Sequence, residues 1–197
     1  MKIENKEFFH LKRSATITKE WELGNKFHWN SRPNNFSKNI FSMDLRFPQV
    51  KDKVPYRTAY ENLLKLPDSE KNKRLYSYFH FTNFALNKTS MMLREIVLEN
   101  YRKENCPHLP SRHNAIWICQ KEGVEYWKNA LQTDNTVTYK IRLNGEMHVA
   151  SEKSLYSDVQ NVNQYLEQAE LYWTPNQKWT IDAEGIFDGE IEILEKI

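Results

Sequence analysis

Cysteine and long apolar runs are scarce in this chain of 197 residues, and each shortage excludes a class of protein. The two cysteines, Cys106 and Cys119, are too few for a disulfide framework, which favours a reducing compartment. No run approaches the roughly eighteen apolar residues of a membrane span, and the N-terminal region is charged throughout. We therefore predict a soluble, cytoplasmic protein with no membrane partner.

Several well-known catalytic motifs are also missing. The chain has no nucleophile elbow, no P-loop, no G-x-G-x-x-G fingerprint and no His-Glu-x-x-His metal motif. A zinc set could be assembled from Cys106, His108, His113 and Cys119, but the spacing is irregular and Cys119 belongs to an apolar strand. The sequence therefore predicts no metal site.

The residues that are present predict a packed core and an uneven charge. Apolar residues make up 40% and aromatic residues 13%, which is ample for one globular domain. Residues 1–113 hold 21 Lys and Arg against 12 Asp and Glu, whereas residues 114–197 hold 7 against 14. Either the two halves attract each other within one fold, or the first half offers a cationic surface to phosphates or nucleic acid.

In the first half of the chain, residues 7–12 alternate as a short strand, and residues 24–56 show no sustained period and read as a long loop. A helical block follows over about 57–105. Within it, Thr89 or Ser90 is placed to cap a separate last helix, because both hydroxyls can accept from backbone N–H groups.

The second half reads as strands and helices in alternation. An apolar strand covers residues 114–119, and strict alternation predicts another strand over 136–143. Asn144-Gly145 after it, and Asp188-Gly189 near the end, are both typical of tight hairpin turns. Between them, Ser154 is expected to cap a helix with apolar positions at Leu155, Val159, Val162, Leu166 and Ala169.

These elements predict an α+β fold in a single domain, 1–197. Its mostly antiparallel sheet carries a helical insertion, about 57–105, between the first strand and the rest.

Two residues at opposite ends of the chain stand out as candidates for one site. His10 lies in the first strand, followed at once by cations, although a lone histidine in an aromatic strand is commonly a hydrogen-bonded core residue. Glu184 lies in a late strand whose other face is apolar, so that strand could hold a carboxylate rigidly. We expect His10 and Glu184 to meet across the sheet. The pair Gln168 and Glu170 is a weaker rival because it falls within a helix.

Arg112 stands before a buried strand, where its planar guanidinium suits a pyrophosphate. Trp117, Tyr126 and Trp127 are most simply core residues, but one of them could stack on a flat ring.

Taken in order, these segments resemble the ADP-ribosyltransferase superfamily, and within it an uncharacterised bacterial family. The matching segments are FFHLKRS with the WELGNKFHW…NNF loop, LREIVLENYRKENCPHLPSRHNAIWIC with GVEYW, TVTYKIRLNG, QAELYW and AEGIFDGEIEILEKI. The resemblance implies an ADP-ribosyltransferase-like fold, with a split antiparallel sheet that grips NAD.

Carried onto this chain, the resemblance assigns His10 to a ribose hydroxyl of NAD and Glu184 to the transition state. Either Trp117 or Tyr126 would lie along the nicotinamide. Arg13, Arg112 and Asn35 would be further NAD-binding residues. NAD is then a substrate of a glycosyltransferase reaction that needs no metal. The basic Leu11-Lys12-Arg13 run departs from the family pattern after the histidine.

The acceptor is the more open part of the expectation. Some bacterial relatives are toxins of toxin–antitoxin or phage-defence systems that modify nucleic acid, including mRNA, so RNA is the first expected acceptor and an antitoxin protein a further partner. The aromatic residues Phe27, Trp29, Phe36 and Phe41 would suit a single-stranded acceptor. The alternatives are ADP-ribosylation of a protein side chain and an inactive binding module that keeps the fold.

Overall fold

The fold described here is that of a computed structural model. Its residues fall into two compact units, Met1–Ser37 with Ile96–Ile197, and Lys38–Glu95. Among the described residues no helix is long and apolar enough to cross a membrane. The structure describes residues 1–29, 32–48, 53–131, 135–155, 161–175 and 177–197.

The first unit is built on one antiparallel sheet of five strands. The strands are β1 (Lys2–Arg13), β2 (Lys26–Trp29), β5 (Ile116–Ile118), β6 (Thr136–Ser151) and β7 (Ala183–Lys196). Their order is β1-β6-β7-β2, and β5 pairs with β7 beside β2. Phe9 of β1 also exchanges two backbone hydrogen bonds of 2.9 Å with Cys119, just after β5. The strands β1, β6, β7 and β5 therefore form a closed ring.

The helices of the chain complete the two units. They are α1 (Asn35–Phe41), α2 (Tyr56–Leu64), α3 (Asp68–Asn105), α4 (Val124–Leu131) and α5 (Val162–Trp173). Short 3-10 turns cover Ser14–Thr16, Lys19–Trp21, Lys121–Gly123 and Glu152–Ser154. A two-stranded ribbon pairs β3 (Phe47–Pro48) with β4 (Lys53–Val54) in the second unit. In that unit, Ala59, Leu63 and Tyr78 form a small core between α2 and α3. The coarse prediction of an α+β fold with a mostly antiparallel sheet is confirmed.

Two apolar clusters occupy the two faces of the sheet. The inner cluster lies on the face of the sheet that points into the ring of strands. The outer cluster lies on the opposite face, against α5 and the end of α3. The inner cluster consists of Ile3, Phe8, Trp21, Ile116, Ile118, Tyr139, Ile141, Leu143, Met147, Val149, Ala183, Phe187, Ile191 and Ile193. The outer cluster consists of Leu98, Leu109, Ala115, Ala150, Leu155, Ala169, Tyr172, Trp173 and Ile186.

Both predicted hairpins are wrong, because Asn144-Gly145 and Asp188-Gly189 lie inside continuous strands. Gly145 of β6 and Gly189 of β7 stand directly opposite each other. A Cβ on Gly145 would lie 2.4 Å from the Asp188 carbonyl oxygen, and one on Gly189 would lie 2.5 Å from that of Asn144. The ring of Phe187 lies over both positions. These glycines therefore allow two strands to approach closely, and they do not reverse the chain.

Three further boundaries differ from the sequence prediction. The loop predicted over 24–56 contains β2, α1 and the β3–β4 ribbon. Thr89 does not begin a separate helix. It lies inside the continuous helix α3, where its hydroxyl donates to the carbonyl oxygen of Ala85 at 2.9 Å.

Ser154 does not begin a helix either. It ends a 3-10 turn, and α5 begins at Val162 with the Asn161 side chain accepting from the backbone N–H of Gln164 at 3.2 Å. The predicted apolar position Val159 lies outside the described residues.

Candidate functional site

A buried cluster of three polar side chains lies on the outer face of the sheet. Arg112 follows α3 in a turn before β5, Tyr172 ends α5, and Glu184 is the second residue of β7. Arg112 Nη1 donates to Glu184 Oε1 and, at 2.6 Å, to the hydroxyl of Tyr172. That hydroxyl donates to the same Glu184 oxygen at 2.7 Å. The carboxylate is thus held by a cation and a neutral donor at once.

Burial shapes the chemistry of this cluster. The side chains of Arg112 and Glu184 are only 6% and 8% exposed. Burial raises the pKa of Tyr172 well above its ordinary value, so its hydroxyl stays protonated and donates to the carboxylate. A buried ion pair of this kind is costly unless it is fully hydrogen-bonded, and here Tyr172 bonds both partners.

Hydrogen bonds from the Asn34 side chain hold the backbone of the turn that carries Arg112. The side-chain amide of Asn34 donates to the carbonyl oxygens of Arg112 at 2.8 Å and Ala115 at 3.0 Å. The same side chain accepts from the backbone N–H of Ser37 at 2.9 Å, in the first turn of α1. Asn34 therefore ties the start of α1 to the turn that carries Arg112.

Aromatic rings line the cluster. The guanidinium of Arg112 lies 5.2 Å from the Trp117 ring centre and 4.9 Å from that of Tyr172. The ring of Phe36 meets Trp117 edge-on at 5.0 Å. The indole nitrogen of Trp117 is buried and has no hydrogen-bond partner in the described part of the chain.

His148 supports the cluster from β6. Its Nε2 donates to the carbonyl oxygen of Tyr172 at 2.7 Å, and its ring lies 5.0 Å from that of Trp173. Burial lowers the pKa of His148, which favours the neutral ring.

The expected meeting of His10 and Glu184 is wrong. His10 shares a face of β1 with Phe8, and its ring lies 4.7 Å from that of Trp21, so it belongs to the inner side of the ring. Glu184 alternates with Ala183 of the inner cluster and shares its face with Ile186 of the outer cluster. Across residues 1–29 and 183–197, no hydrogen bond, ion pair or ring contact joins the two side chains.

His10 reaches the outer cluster only through the backbone of β5. Its Nδ1 lies 2.7 Å from the carbonyl oxygen of Trp117 and must donate, since a carbonyl only accepts. Burial lowers the pKa of His10 to about 4, so the ring is neutral at physiological pH.

Of the other predicted site residues, some lie near Glu184 and the rest lie elsewhere. Arg112 and Trp117 lie with Glu184, as described. Arg13 is the exposed last residue of β1, and Asn35 is the exposed first residue of α1, one position from the buried Asn34. Tyr126 donates to Glu152 at 2.7 Å, and that bond raises its pKa to about 12. Among the described contacts, none brings Tyr126 to Arg112 or Glu184.

Of the aromatic residues expected to receive a nucleic acid, three are partly buried. Phe27 and Trp29 pack against the inner cluster, and Phe36 packs against Trp117. Phe41 is 43% exposed.

Sequence reasoning missed Tyr172, Asn34 and His148. Tyr172 lies in QAELYW, a segment noted in the sequence only for its resemblance, and nothing in its spacing indicated that its hydroxyl bonds a residue twelve positions later. The Asn34 side chain joins positions about 80 residues apart, which only tertiary structure brings together.

A polar cleft lies on the same face of the sheet, and Arg112, Tyr172 and Glu184 are not among the residues that line it. It has a volume of about 530 Å³. Its floor is formed by Asn144 and Glu146 of β6 and Asp188 of β7, and its wall by His108 and Ser111. Because Asp188 lies four residues beyond Glu184 on one strand, the two carboxylates lie about 13 Å apart along the sheet. The fold and the cluster together define an α+β protein with a buried Arg–Tyr–Glu cluster and a separate polar cleft on the same face of its sheet.

This chain belongs to the family described as proteins of unknown function, DUF2441, whose model matches residues 8–197. No curated protein matches the chain.

Proposed function

We propose that the protein is an NAD-dependent ADP-ribosyltransferase in which Glu184 is the catalytic carboxylate. The observation that supports this most is the fixed position of Glu184 on a late strand, held by Arg112 and Tyr172. The resemblance to ADP-ribosyltransferases points to the same glutamate. His10, which that resemblance also assigned to NAD, is given no catalytic role in this proposal because it lies on the other face.

The reaction breaks the bond between ribose C1′ and the nicotinamide nitrogen, and the bonding electrons leave with neutral nicotinamide. A positively charged, oxocarbenium-like ribose develops, and a fixed carboxylate stabilises it. Since Arg112 and Tyr172 both bond Oε1, we assign Oε2 of Glu184 to the ribose. The acceptor then forms the new bond to C1′ and gives its proton to this carboxylate.

Further parts of the proposal concern the ligands. The ring of Trp117, beside Arg112, is the surface we assign to nicotinamide. Arg112 is engaged with Glu184, so Arg13 and Asn35 are left as exposed candidates for the pyrophosphate. RNA is the proposed acceptor, which would make the protein a toxin or a phage-defence effector, with a protein side chain as the other acceptor class.

A second candidate function has an observation of its own. The buried Arg112 already neutralises Glu184, and His10 is turned away from it. This arrangement favours a binding module that keeps the fold and does not catalyse transfer.

One experiment separates these functions. The purified protein is incubated with NAD labelled in the adenylate phosphate, together with separate RNA, DNA and protein pools, and nicotinamide release is measured in parallel. We expect label in RNA, and a loss of about 100-fold or more for Glu184→Gln. Glu170→Gln, an exposed glutamate of α5, is the matched control and should keep full activity.

The outcomes are distinct. Label in the protein pool would replace RNA with a protein acceptor. The absence of both label and nicotinamide release, in a protein whose circular dichroism shows that it is folded, would support the binding module. Equal activity of Glu184→Gln and the parent chain would contradict the assigned role of Glu184.

A further inference from the structure

One face of α3 carries a stripe of six side chains, of which all but the half-buried Ser90 are exposed. We define the α3 stripe as six residues spaced alternately by three and four positions along the helix. Large apolar members are strongly exposed: Tyr76 and Phe79 are each 72% exposed, Leu86 66% and Leu93 48%. The members are Tyr76, Phe79, Asn83, Leu86, Ser90 and Leu93.

The side of this helix segment that packs within its own unit lies next to the stripe, about 70–110° around the helix from its centre. Tyr78 is buried and donates its hydroxyl to the carbonyl oxygen of Ala59 in α2. Thr82 lies 2.8 Å from the hydroxyl of Tyr56. The α3 stripe is therefore not part of the contact between α2 and α3.

The spacing is that of a coiled-coil seam. Residues that recur every 3.5 positions stay in line along two helices that wind around each other. Phe79, Leu86 and Leu93 fall at one core position of the heptad, and Tyr76, Asn83 and Ser90 fall at the other. A single asparagine among apolar core positions fixes the register of paired helices.

Charge identifies the occupant of this seam. Residues 75–87 contain no Asp, Glu, Lys or Arg, so two copies of the segment meet without like-charge repulsion. In a parallel pair, the heptad places Asp68 opposite Lys73 of the second copy, at the flanking positions that form interhelical ion pairs. Asp68 and Lys73 are 93% and 71% exposed, and each pairs on its own helix, with Lys71 at 3.2 Å and Glu70 at 2.9 Å, so the interhelical pair would replace these two exposed pairs.

We propose that the α3 stripe is a self-association surface, on which a second copy of this chain packs as a parallel helix pair. Asn83 of each copy faces Asn83 of the other, and the Phe79, Leu86 and Leu93 side chains form the apolar part of the seam. This inference is independent of the proposed catalytic function.

Sedimentation equilibrium of the full chain over a wide concentration series tests the proposal. We expect the mean mass to rise from 23.7 kDa towards twice that value. The double variant F79E/L86E should stay at the mass of one chain. Tyr60→Glu, at an exposed aromatic residue of α2 outside the stripe, is the matched control and should still associate.

Direction is tested with single cysteines. Asn83→Cys should form a disulfide-linked dimer on mild oxidation, because a parallel seam brings the two positions together, whereas Ser77→Cys, exposed elsewhere on α3, and the parent chain should not. A single-chain mass at every concentration would overturn the proposal and leave the stripe to a different partner. Association that survives F79E/L86E, or equal cross-linking at positions 77 and 83, would overturn it as well.

Discussion

At the scale of single residues, two of the Arg–Glu pairs in the described part of the chain lie in opposite environments. Arg112 and Glu184 are almost fully buried, whereas Arg32 and Glu20 are 44% and 40% exposed at a distance of 3.0 Å. Water screens the second pair and cannot screen the first. The two pairs therefore provide a matched comparison within one protein.

We predict that Arg112→Met lowers the free energy of unfolding by about 3–5 kcal/mol, because it leaves the Glu184 carboxylate buried without its cation. Urea denaturation at neutral pH measures this. Arg32→Met should cost less than about 1 kcal/mol. The double variant Arg112→Met with Glu184→Leu should recover much of the loss, and strictly additive losses would contradict the pairing.

A second prediction concerns His10. Its pKa falls from 6.5 in an unfolded chain to about 4 in the fold, so between these values the unfolded state binds more protons. Stability should therefore decrease as the pH falls from about 6.5 to 4, by up to about 3 kcal/mol from this residue.

Denaturation midpoints measured across that pH range test the prediction. His10→Asn keeps an amide donor near the position of Nδ1 and removes the titration, so its curve should be flatter than that of the parent chain. His148, whose pKa is also lowered, titrates in both proteins and cancels in the comparison. His28→Gln, at an exposed histidine, should follow the parent, and an unchanged slope in His10→Asn would contradict the assignment.

At the scale of elements, the sequence could predict strands but not the structural role of two glycines. An apolar run predicted the strand at 114–119, of which residues 116–118 form β5, and strict alternation predicted 136–143, which lies inside β6. Gly145 and Gly189 looked like turn residues, since local sequence cannot reveal a neighbouring strand 2.4 Å from an added Cβ. The predicted helix start at Thr89 failed for a similar reason. Its hydroxyl bonds the carbonyl oxygen of Ala85, which is available only because α3 continues through this position.

The candidate site was predictable in part. Arg112, Trp117 and Glu184 were recognised from their places beside buried strands, and the structure brings these three together. The error lay in choosing the face of the sheet. His10 lies on the inner face with Trp21, whereas Glu184 shares the outer face of β7 with Ile186, and the facing of two strands from opposite ends of the chain is set by tertiary pairing that no local pattern encodes.

The glycine pair leads to a third prediction. Gly145→Ala and Gly189→Ala should each destabilise the fold by at least about 2 kcal/mol, since strain from a positive φ adds to a backbone clash. Gly24→Ala is the control, because Gly24 has a φ of +81° and nothing within 4 Å of an added Cβ. It should cost only about 1–2 kcal/mol. Equal effects at all three positions, measured by thermal unfolding, would argue for turns at 145 and 189.

At the scale of the whole molecule, the last strand connects most of the sheet. β7 pairs with β2, β5 and β6, and its Ile191 and Ile193 are almost completely buried. These contacts join residues from both ends of the chain, so the sheet is completed only when the C-terminal segment is in place.

We predict that a chain ending at Gly189 does not fold, because it loses the Ile191 and Ile193 side chains together with every backbone pair to β2 except that of Gly189. Near-ultraviolet circular dichroism and limited proteolysis provide the measurement. A chain ending at Glu195 keeps those isoleucines and should remain folded. Native-like protection from protease in the shorter chain would show that β7 is dispensable.

The position of Trp117 also makes it an optical reporter. Its indole lies against the Arg112 guanidinium and the edge of Phe36, so its fluorescence responds to the charge and polarity of that corner of the molecule. Subtracting the spectrum of Trp117→Phe from that of the parent chain isolates this signal from the other five tryptophans. A titration with NAD, the proposed substrate, can then be followed by fluorescence alone, as a test of binding that is separate from the activity assay.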